Sequence, residues 1–248
     1  MSNRIRSALL LLLAGAFTLL CSLVALLVAL VPRLRRRNDP FMAWWARSVL
    51  GLVGVHWRAE GIERIPDGPC VFVANHLSAL DIPLVMAVLP GPPRFMAKHT
   101  LFKLPIFGWL LTVEGFVPVD RTEGRRARAS LGPATAALRR GRRLLVFPEG
   151  TRSRTSRTGT FKTGAFRMAL ATGIPVVPVA LIGTDRVFPP KSKILYPGEV
   201  ELAVGPVLET AGLELGARTR LRDRTRSWII ERRGEEPHSR SPEEGGEA

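Results

Sequence analysis

The sequence predicts an α/β protein: a mixed sheet with flanking helices, preceded by an apolar helix anchored in a membrane and a second helix at the bilayer surface. Three observations carry this. Short β-rich apolar runs alternate with stretches of helical spacing across residues 61–232, the pattern of helices packed on a sheet. Residues 8–31 form one uncharged run, about 36 Å long as a helix against a hydrocarbon core of about 30 Å. Lys and Arg number 36 against 21 Asp and Glu, a net charge of +15. That excess asks for an anionic partner: a membrane surface, a phosphorylated substrate or nucleic acid.

The apolar run has a rival reading as a signal peptide, with Arg4 and Arg6 as its basic start. It is too long for that, and Arg33, Arg35, Arg36 and Arg37 follow where a cleavage site would lie. The run is therefore read as a retained single-pass anchor. The arginine excess behind it places the body in the cytoplasm, at the inner (plasma) membrane. Residues 41–57 carry Trp44, Trp45 and Trp57. They read either as a helix at the bilayer interface or as an amphipathic helix of the core. The expected organisation is an anchor with basic flank over 1–39, an amphipathic or interfacial segment over 40–60, one domain over 61–232 and a disordered polar tail over 233–248.

Within the domain, residues 70–74 read as a buried strand. A helix opened by Ser78 or Asp81 ends ahead of Pro90-Gly91-Pro92-Pro93. Residues 94–97 and 116–119 read as strands. Residues 123–140 have helical spacing interrupted by Pro133. Residues 144–147 make a strand stopped by Pro148, and 163–172 a helix closed by Gly173. Strands at 175–182 and 199–204 and a helix at 221–232 complete the set. The two cysteines, Cys21 and Cys70, both lie in apolar runs, so no disulfide framework is expected and the compartment is reducing. Nothing around Cys70 is electropositive enough to mark a reactive thiolate.

The stretch V-A-N-H-L-S-A-L-D-I-P, residues 73–83, carries the first chemistry. Asp81 fits a helix cap, either itself or within a capping box opened by Ser78, with Pro83 tolerated in the first turn. Neither reading accounts for His76. The alternative is a general base at a strand end with Asp81 as its orienting acid, placed where α/β proteins put ligands. The second stretch is F-P-E-G-T-R-S, residues 147–153, again at a strand end. Its Arg152 is suited to clamping a phosphate, though an ordinary polar loop would look similar. The third is G-F-V-P-V-D-R, residues 115–121, which alone reads as a salt-bridged strand end.

Together these stretches resemble the glycerolipid acyltransferase family, of which the 1-acylglycerol-3-phosphate acyltransferases are the best-known members. Asn75, His76 and Asp81 match its N-H-x-x-x-x-D block. Gly115, Asp120 and Arg121 match its second block, and residues 147–153 match F-P-E-G-T-R-S throughout. Residues 174–179, I-P-V-V-P-V, match its fourth block. The resemblance covers about residues 58–210. Pro118 departs from the aromatic or aliphatic residue common in the second block, which makes Arg121 the least secure assignment.

The resemblance implies transfer of an acyl group from a thioester, acyl-CoA or acyl-carrier protein, to the hydroxyl of a lysophospholipid such as lysophosphatidate. His76 is then the base and Asp81 its orienter. Glu149, Gly150, Thr151 and Arg152, with Arg121, bind the glycerol phosphate. No metal and no cofactor beyond the acyl donor is implied. No G-x-S-x-G elbow is present, so direct attack is expected without an acyl-enzyme. Lys98 and Lys162 are further cations near these blocks or solvated surface. Residues 175–179 read as core strand before acyl-chain wall. Two alternatives stand: the same chemistry on another lysolipid, such as a lyso-ornithine lipid, or a non-catalytic protein that binds anionic lipid. Nucleic acid is not expected, since there is no nucleic-acid motif and a single tyrosine for stacking.

Overall fold

The computed structural model describes residues 3–31, 33–34, 38–119 and 131–235. Seven strands form one sheet: β1 (Val55–Glu60), β2 (Val71–Ala74), β3 (Arg94–Lys98), β4 (Val117–Val119), β5 (Leu144–Val146), β6 (Val176–Ile182) and β7 (Gly198–Val204). Their spatial order is β1-β7-β6-β2-β5-β3-β4. From β6 to β4 all neighbours are parallel, while β7 runs antiparallel to β6 and pairs in parallel with β1. The mixed sheet expected from the sequence is thus observed.

Among the described residues the α-helices are α1 (Asn3–Ala29), α2 (Asn38–Leu52), α3 (Asp81–Val88), α4 (Phe107–Glu114), α5 (Leu131–Arg139), α6 (Gly164–Thr172), the short α7 (Thr184–Val187) and α8 (Arg218–Arg232). They cover both sheet faces, and the period-two alternation of strand side chains divides the core in two. Phe72, Ala74 and Leu145 pack with α2 and α3 residues such as Leu50 and Leu84. Val71, Val73 and Leu144 face the other way, toward Leu138, Phe166 and Ile229 of α5, α6 and α8. A one-residue slip of β2 would exchange these sets.

The sequence reading needs correction at several elements. Residues 41–57 are not one helix. α2 ends at Leu52, Gly54 turns the chain at a φ of 75°, and β1 follows. The unit assigned to 40–60 therefore contributes the first strand of the sheet. Its V-H-W-R-A-E pattern alternates, but on an edge strand with mostly exposed side chains the signal is weak. Pro133 is accommodated within α5, two residues after the start of its described span. Residues 123–130, at the start of that expected helix, lie outside the described residues. α4 was not foreseen, because its F-G-W-L-L-T-V-E run is apolar all round. Pro118 is tolerated because β4 is the sheet's edge and pairs only with β3.

The N-terminal helix forms, but it does not stand apart from the body. Ser7 is fully buried, and its hydroxyl accepts the N–H of Leu195 at 3.0 Å. At the other end, Asn38 donates to the Ala25 carbonyl at 3.0 Å and to Glu114 Oε1 at 2.7 Å. Arg94, at the start of β3, then bridges Glu114 Oε2 at 3.0 Å and Asp39 at 2.6 Å. This buried network ties α1 and α2 to the sheet. Along the outer side of α1, Leu12, Leu20, Leu27 and Leu30 remain exposed.

Candidate active site

The site lies at the carboxyl ends of the parallel strands β2, β5 and β6, the edge where open α/β sheets hold ligands. β2 ends at Ala74, and Asn75 then imitates a strand residue with its side chain. Its amide donates to the Leu181 carbonyl at 2.9 Å and accepts the Leu181 N–H at 2.8 Å. This locks the turn after β2 against the end of β6 and presents His76 next.

His76 and Asp81 meet. His76 Nδ1 lies 2.7 Å from Asp81 Oδ2, with the imidazole 7 % exposed and the carboxylate fully buried. The same oxygen accepts the backbone N–H groups of Leu77 at 2.7 Å and Ser78 at 2.9 Å. These donors precede the helix, so the carboxylate points back into the turn. The capping reading of Asp81 holds in part: accepting the Ser78 N–H is the return bond of a capping box, and the same oxygen also meets His76. The Ser78 hydroxyl accepts the Leu80 N–H at 3.3 Å and donates to the Phe188 carbonyl. With Nδ1 committed to Asp81, Nε2 is the ring nitrogen that can take a proton. The ring stacks on Phe147, 4.1 Å between centroids and 16° between planes.

The loop after β5 braces this histidine. Glu149 Oε1 accepts the N–H of His76 at 2.8 Å, and the Ser153 N–H donates to the His76 carbonyl at 2.8 Å. Glu149 Oε2 takes the N–H of Gly159 at 3.0 Å. A Cβ on Gly159 would come within 2.9 Å of that oxygen, so the close approach requires glycine. Burial pushes the Glu149 carboxyl up to about 7, and the two N–H bonds oppose that rise. Glu149 was expected among the headgroup ligands. It lines the cavity described next, and both of its oxygens accept backbone N–H groups.

Gly150 turns the loop at a φ of 78°, in the left-handed region that favours glycine. Beyond it opens a cavity of about 740 Å³ lined by Thr151, Arg152, Arg154, Arg157, Lys162 and neighbouring hydroxyl residues. The expected headgroup residues Thr151 and Arg152 both face it, and so does Lys162. Lys98 ends β3 on the same edge of the sheet and is exposed. Arg121 and Asp120 lie outside the described residues. The far wall of the cavity is gripped from α8 and the residues after it: Arg226 donates to the Gly159 and Thr158 carbonyls, and Glu235, beyond the helix end, accepts the Thr158 N–H and hydroxyl at 2.9 and 3.0 Å.

On the opposite side, a small apolar cavity of about 130 Å³ lies between α1, α2, α3 and α4, lined by Cys21, Trp45, Ile82, Leu110 and Phe116 among others. Ile82, which follows Asp81 in α3, is the lining residue nearest the pair in sequence. Residues 175–179 are core, as expected, with Val176, Val177 and Val179 fully buried. Burial pushes the Cys70 thiol up to about 12, which removes it as a nucleophile at neutral pH.

Sequence reasoning did not find three contributors. The stacking of Phe147 was open to inference from its motif. Gly159 and Thr184 lie outside every block, and no local pattern marks them. Thr184 donates its hydroxyl to Asp81 Oδ1 at 2.6 Å.

A histidine held by a buried carboxylate, beside a cationic cavity at the carboxyl edge of a sheet, is the arrangement a general base would need next to an anionic substrate. A family model described as Acyltransferase matches residues 56–182, and the chain belongs to that family. It is 34 % identical over 213 residues to a chloroplastic 1-acyl-sn-glycerol-3-phosphate acyltransferase of Brassica napus, covering 82 % of this chain and 61 % of the relative. The chain thus spans about three fifths of that relative's length. A 1-acyl-sn-glycerol-3-phosphate acyltransferase of Borreliella burgdorferi is 33 % identical, with 74 % of each chain covered. Among solved structures, the 1-acyl-sn-glycerophosphate acyltransferase of Thermotoga maritima superposes with a TM-score of 0.79 at 26 % identity, over 95 % of this chain and all of that one.

Proposed function

We propose that this chain transfers a fatty acyl group from acyl-CoA or acyl-carrier protein to the free hydroxyl of lysophosphatidate, forming phosphatidate for phospholipid synthesis. The observation that carries the reading is the 2.7 Å contact of His76 Nδ1 with buried Asp81, next to the arginine-lined cavity. That the relatives are 1-acyl-sn-glycerol-3-phosphate acyltransferases supports the acceptor.

In this mechanism His76 Nε2 removes the proton of the lysophosphatidate hydroxyl as its oxygen attacks the thioester carbonyl. The new carbon–oxygen ester bond forms and the carbon–sulfur bond breaks. The proton on Nε2 passes to the departing thiolate, so the imidazole is regenerated. Asp81 remains ionised, holds the tautomer with the proton on Nδ1, and stabilises the transient imidazolium. Arg152, with Thr151, the backbone at Gly150 and Lys162, binds the phosphate, and Arg121 is assigned to the same role from its motif. Glu149 braces His76. The apolar cavity beside Ile82 offers a wall for the acyl methylenes.

The exposed leucines of α1 support a membrane-attached protein. Because Ser7 and Asn38 fix both ends of α1 to the body, the helix would lie partly immersed in one leaflet with its body alongside. The domain then faces the cytoplasm, where the acyl donors are. Incubating the membrane fraction with a panel of lysolipids and both donor types, then weighing the products, tests the reading. A mass gain of one acyl chain on lysophosphatidate is expected. A gain only on another lysolipid would replace the acceptor, and no gain on any lysolipid would overturn the activity.

A further inference from the structure

We propose that Thr184 is a positioning residue for the His76–Asp81 pair: its hydroxyl fixes the rotation of the Asp81 carboxylate and thereby the aim of His76. The inference rests on the acyl-transfer reading, in which His76 acts as base.

The two oxygens of Asp81 are unequally served. Oδ2 receives three donors: His76 Nδ1, Leu77 N–H and Ser78 N–H. All three come from the turn that Asp81 itself closes. Among the described residues Oδ1 receives one, the Thr184 hydroxyl at 2.6 Å, from 103 residues away. Both side chains are fully buried, so bulk water does not stand in for either group. A 2.6 Å O–H···O⁻ contact lies in the short range of charge-assisted hydrogen bonds. Without it, Oδ1 is a buried carboxylate oxygen with no partner. The carboxylate then gains by turning toward any available donor, and each turn carries Oδ2 away from Nδ1.

Thr184 is itself held by the fold. Gly183 precedes it at a φ of 83°, and a Cβ there would lie 2.9 Å from the Glu199 carbonyl of β7. Three residues earlier on the same chain, Leu181 holds Asn75 by both backbone groups. The corner between β6 and α7 thus grips the first and last residues of N-H-x-x-x-x-D. Neither Leu181 nor Thr184 belongs to a block that the sequence singled out, and Thr184 lies beyond the matched residues 56–182. A threonine that merely capped α7 would have no need of a carboxylate partner.

The test compares full-length wild type, Thr184→Val, Thr184→Ser and Thr184→Ala. Valine keeps the shape and loses the donor; serine keeps the donor. The expected result for Thr184→Val is a fall in kcat of roughly ten- to a hundredfold, the scale of one hydrogen bond to a charged group, with KM for both substrates within about twofold. Thr184→Ser should recover most of kcat. If Thr184→Val does not fold, Thr184→Ala supplies the donor-free comparison. In parallel, proton NMR of ¹⁵N-histidine-labelled protein follows the His76 Nδ1–H resonance, identified by its loss in His76→Gln. It should appear in wild type and Thr184→Ser and be shifted or broadened in Thr184→Val. This signal needs no turnover. If wild type acylates no lysolipid, the functional reading fails while the resonance still decides the hydrogen-bond role. Wild-type kcat in the donor-free variant, an unmoved Nδ1–H signal, or failure of serine to rescue would each overturn the proposal.

Discussion

The backbone N–H of His76 donates to Glu149 Oε1 across 2.8 Å, joining two motifs 73 residues apart in the chain. Glu149 also accepts Gly159 N–H, so one carboxyl connects the base to the wall of the cationic cavity. The pairing gives an acidic residue an architectural task beside a cavity lined by arginines and a lysine.

That carboxyl predicts a pH dependence. Its folded value is raised from 4.5 to about 7, chiefly by burial. The folded state therefore binds more protons than the unfolded state in that interval, and stability falls as pH rises from about 4.5 to about 7. The contribution is on the order of 1–3 kcal/mol. Denaturant melts at several pH values should show this decline in wild type and lose it in Glu149→Gln. An equal slope in both proteins would remove Glu149 as its source.

Asp81→Asn should fold, because the amide oxygen can take the place of Oδ2 while its NH₂ donates to the Thr184 oxygen. It cannot stabilise an imidazolium. In a hydrolase triad the equivalent change costs roughly 10⁴ in kcat, and a loss of at least roughly a hundredfold is expected here. His76→Ala should be as inactive, and the double variant no worse than the poorer single one, since the two act as a unit. Near-normal turnover in a folded Asp81→Asn protein would end the catalytic pairing.

Arg152 lines the cavity and has an exposed side chain. Arg152→Ala should lower kcat/KM for lysophosphatidate by roughly ten- to a hundredfold, the scale of one hydrogen bond to a charged group. Melting temperature should hardly move. Unchanged kinetics would remove Arg152 from the phosphate site.

Arg226 holds the Thr158 and Gly159 carbonyls from α8. Arg226→Ala should therefore raise KM for the lysolipid several-fold more than it lowers kcat, since it loosens the cavity wall and leaves the Asp81 contact in place. A variant whose loss falls on kcat alone would contradict this.

The attachment of α1 predicts a topology. Cysteines introduced at Asn3 and at Ser227, both exposed positions, should be labelled by an impermeant maleimide from the same side of a sealed membrane. Cys21 and Cys70 are buried and should stay silent. Labelling from opposite sides would restore a helix that crosses the bilayer. Release by carbonate washing would dismiss the membrane attachment altogether.

The local signals in the chain were sufficient for much of this. Alternation of β-rich runs with helical spacing established the α/β class. The glycine at 173 and the proline at 148 marked real boundaries, since both act through backbone geometry. His76, Asp81 and Arg152 were legible because strand ends that carry charged residues stand out against apolar runs. β1 and α4 were not. An exposed edge strand and a helix apolar on all sides lack the contrast from which periodicity is read.

The apolar N-terminal helix, the basic excess and candidate residues for a general base and a phosphate clamp were also legible in the sequence alone. Only the tertiary structure decided how they are used. Asp81 fits a cap and a histidine partner by the same letters; in the fold its Oδ2 serves both Ser78 and His76, while its Oδ1 is taken by Thr184, 103 positions away. Glu149 fits a binding loop by motif and became a brace because β2 and β5 are neighbours in the sheet. The apolar helix satisfied the length of a span, yet Ser7 and Asn38 tie it along the body. Each of these outcomes depends on hydrogen bonds between residues distant in the chain, and local pattern carries no record of such partners.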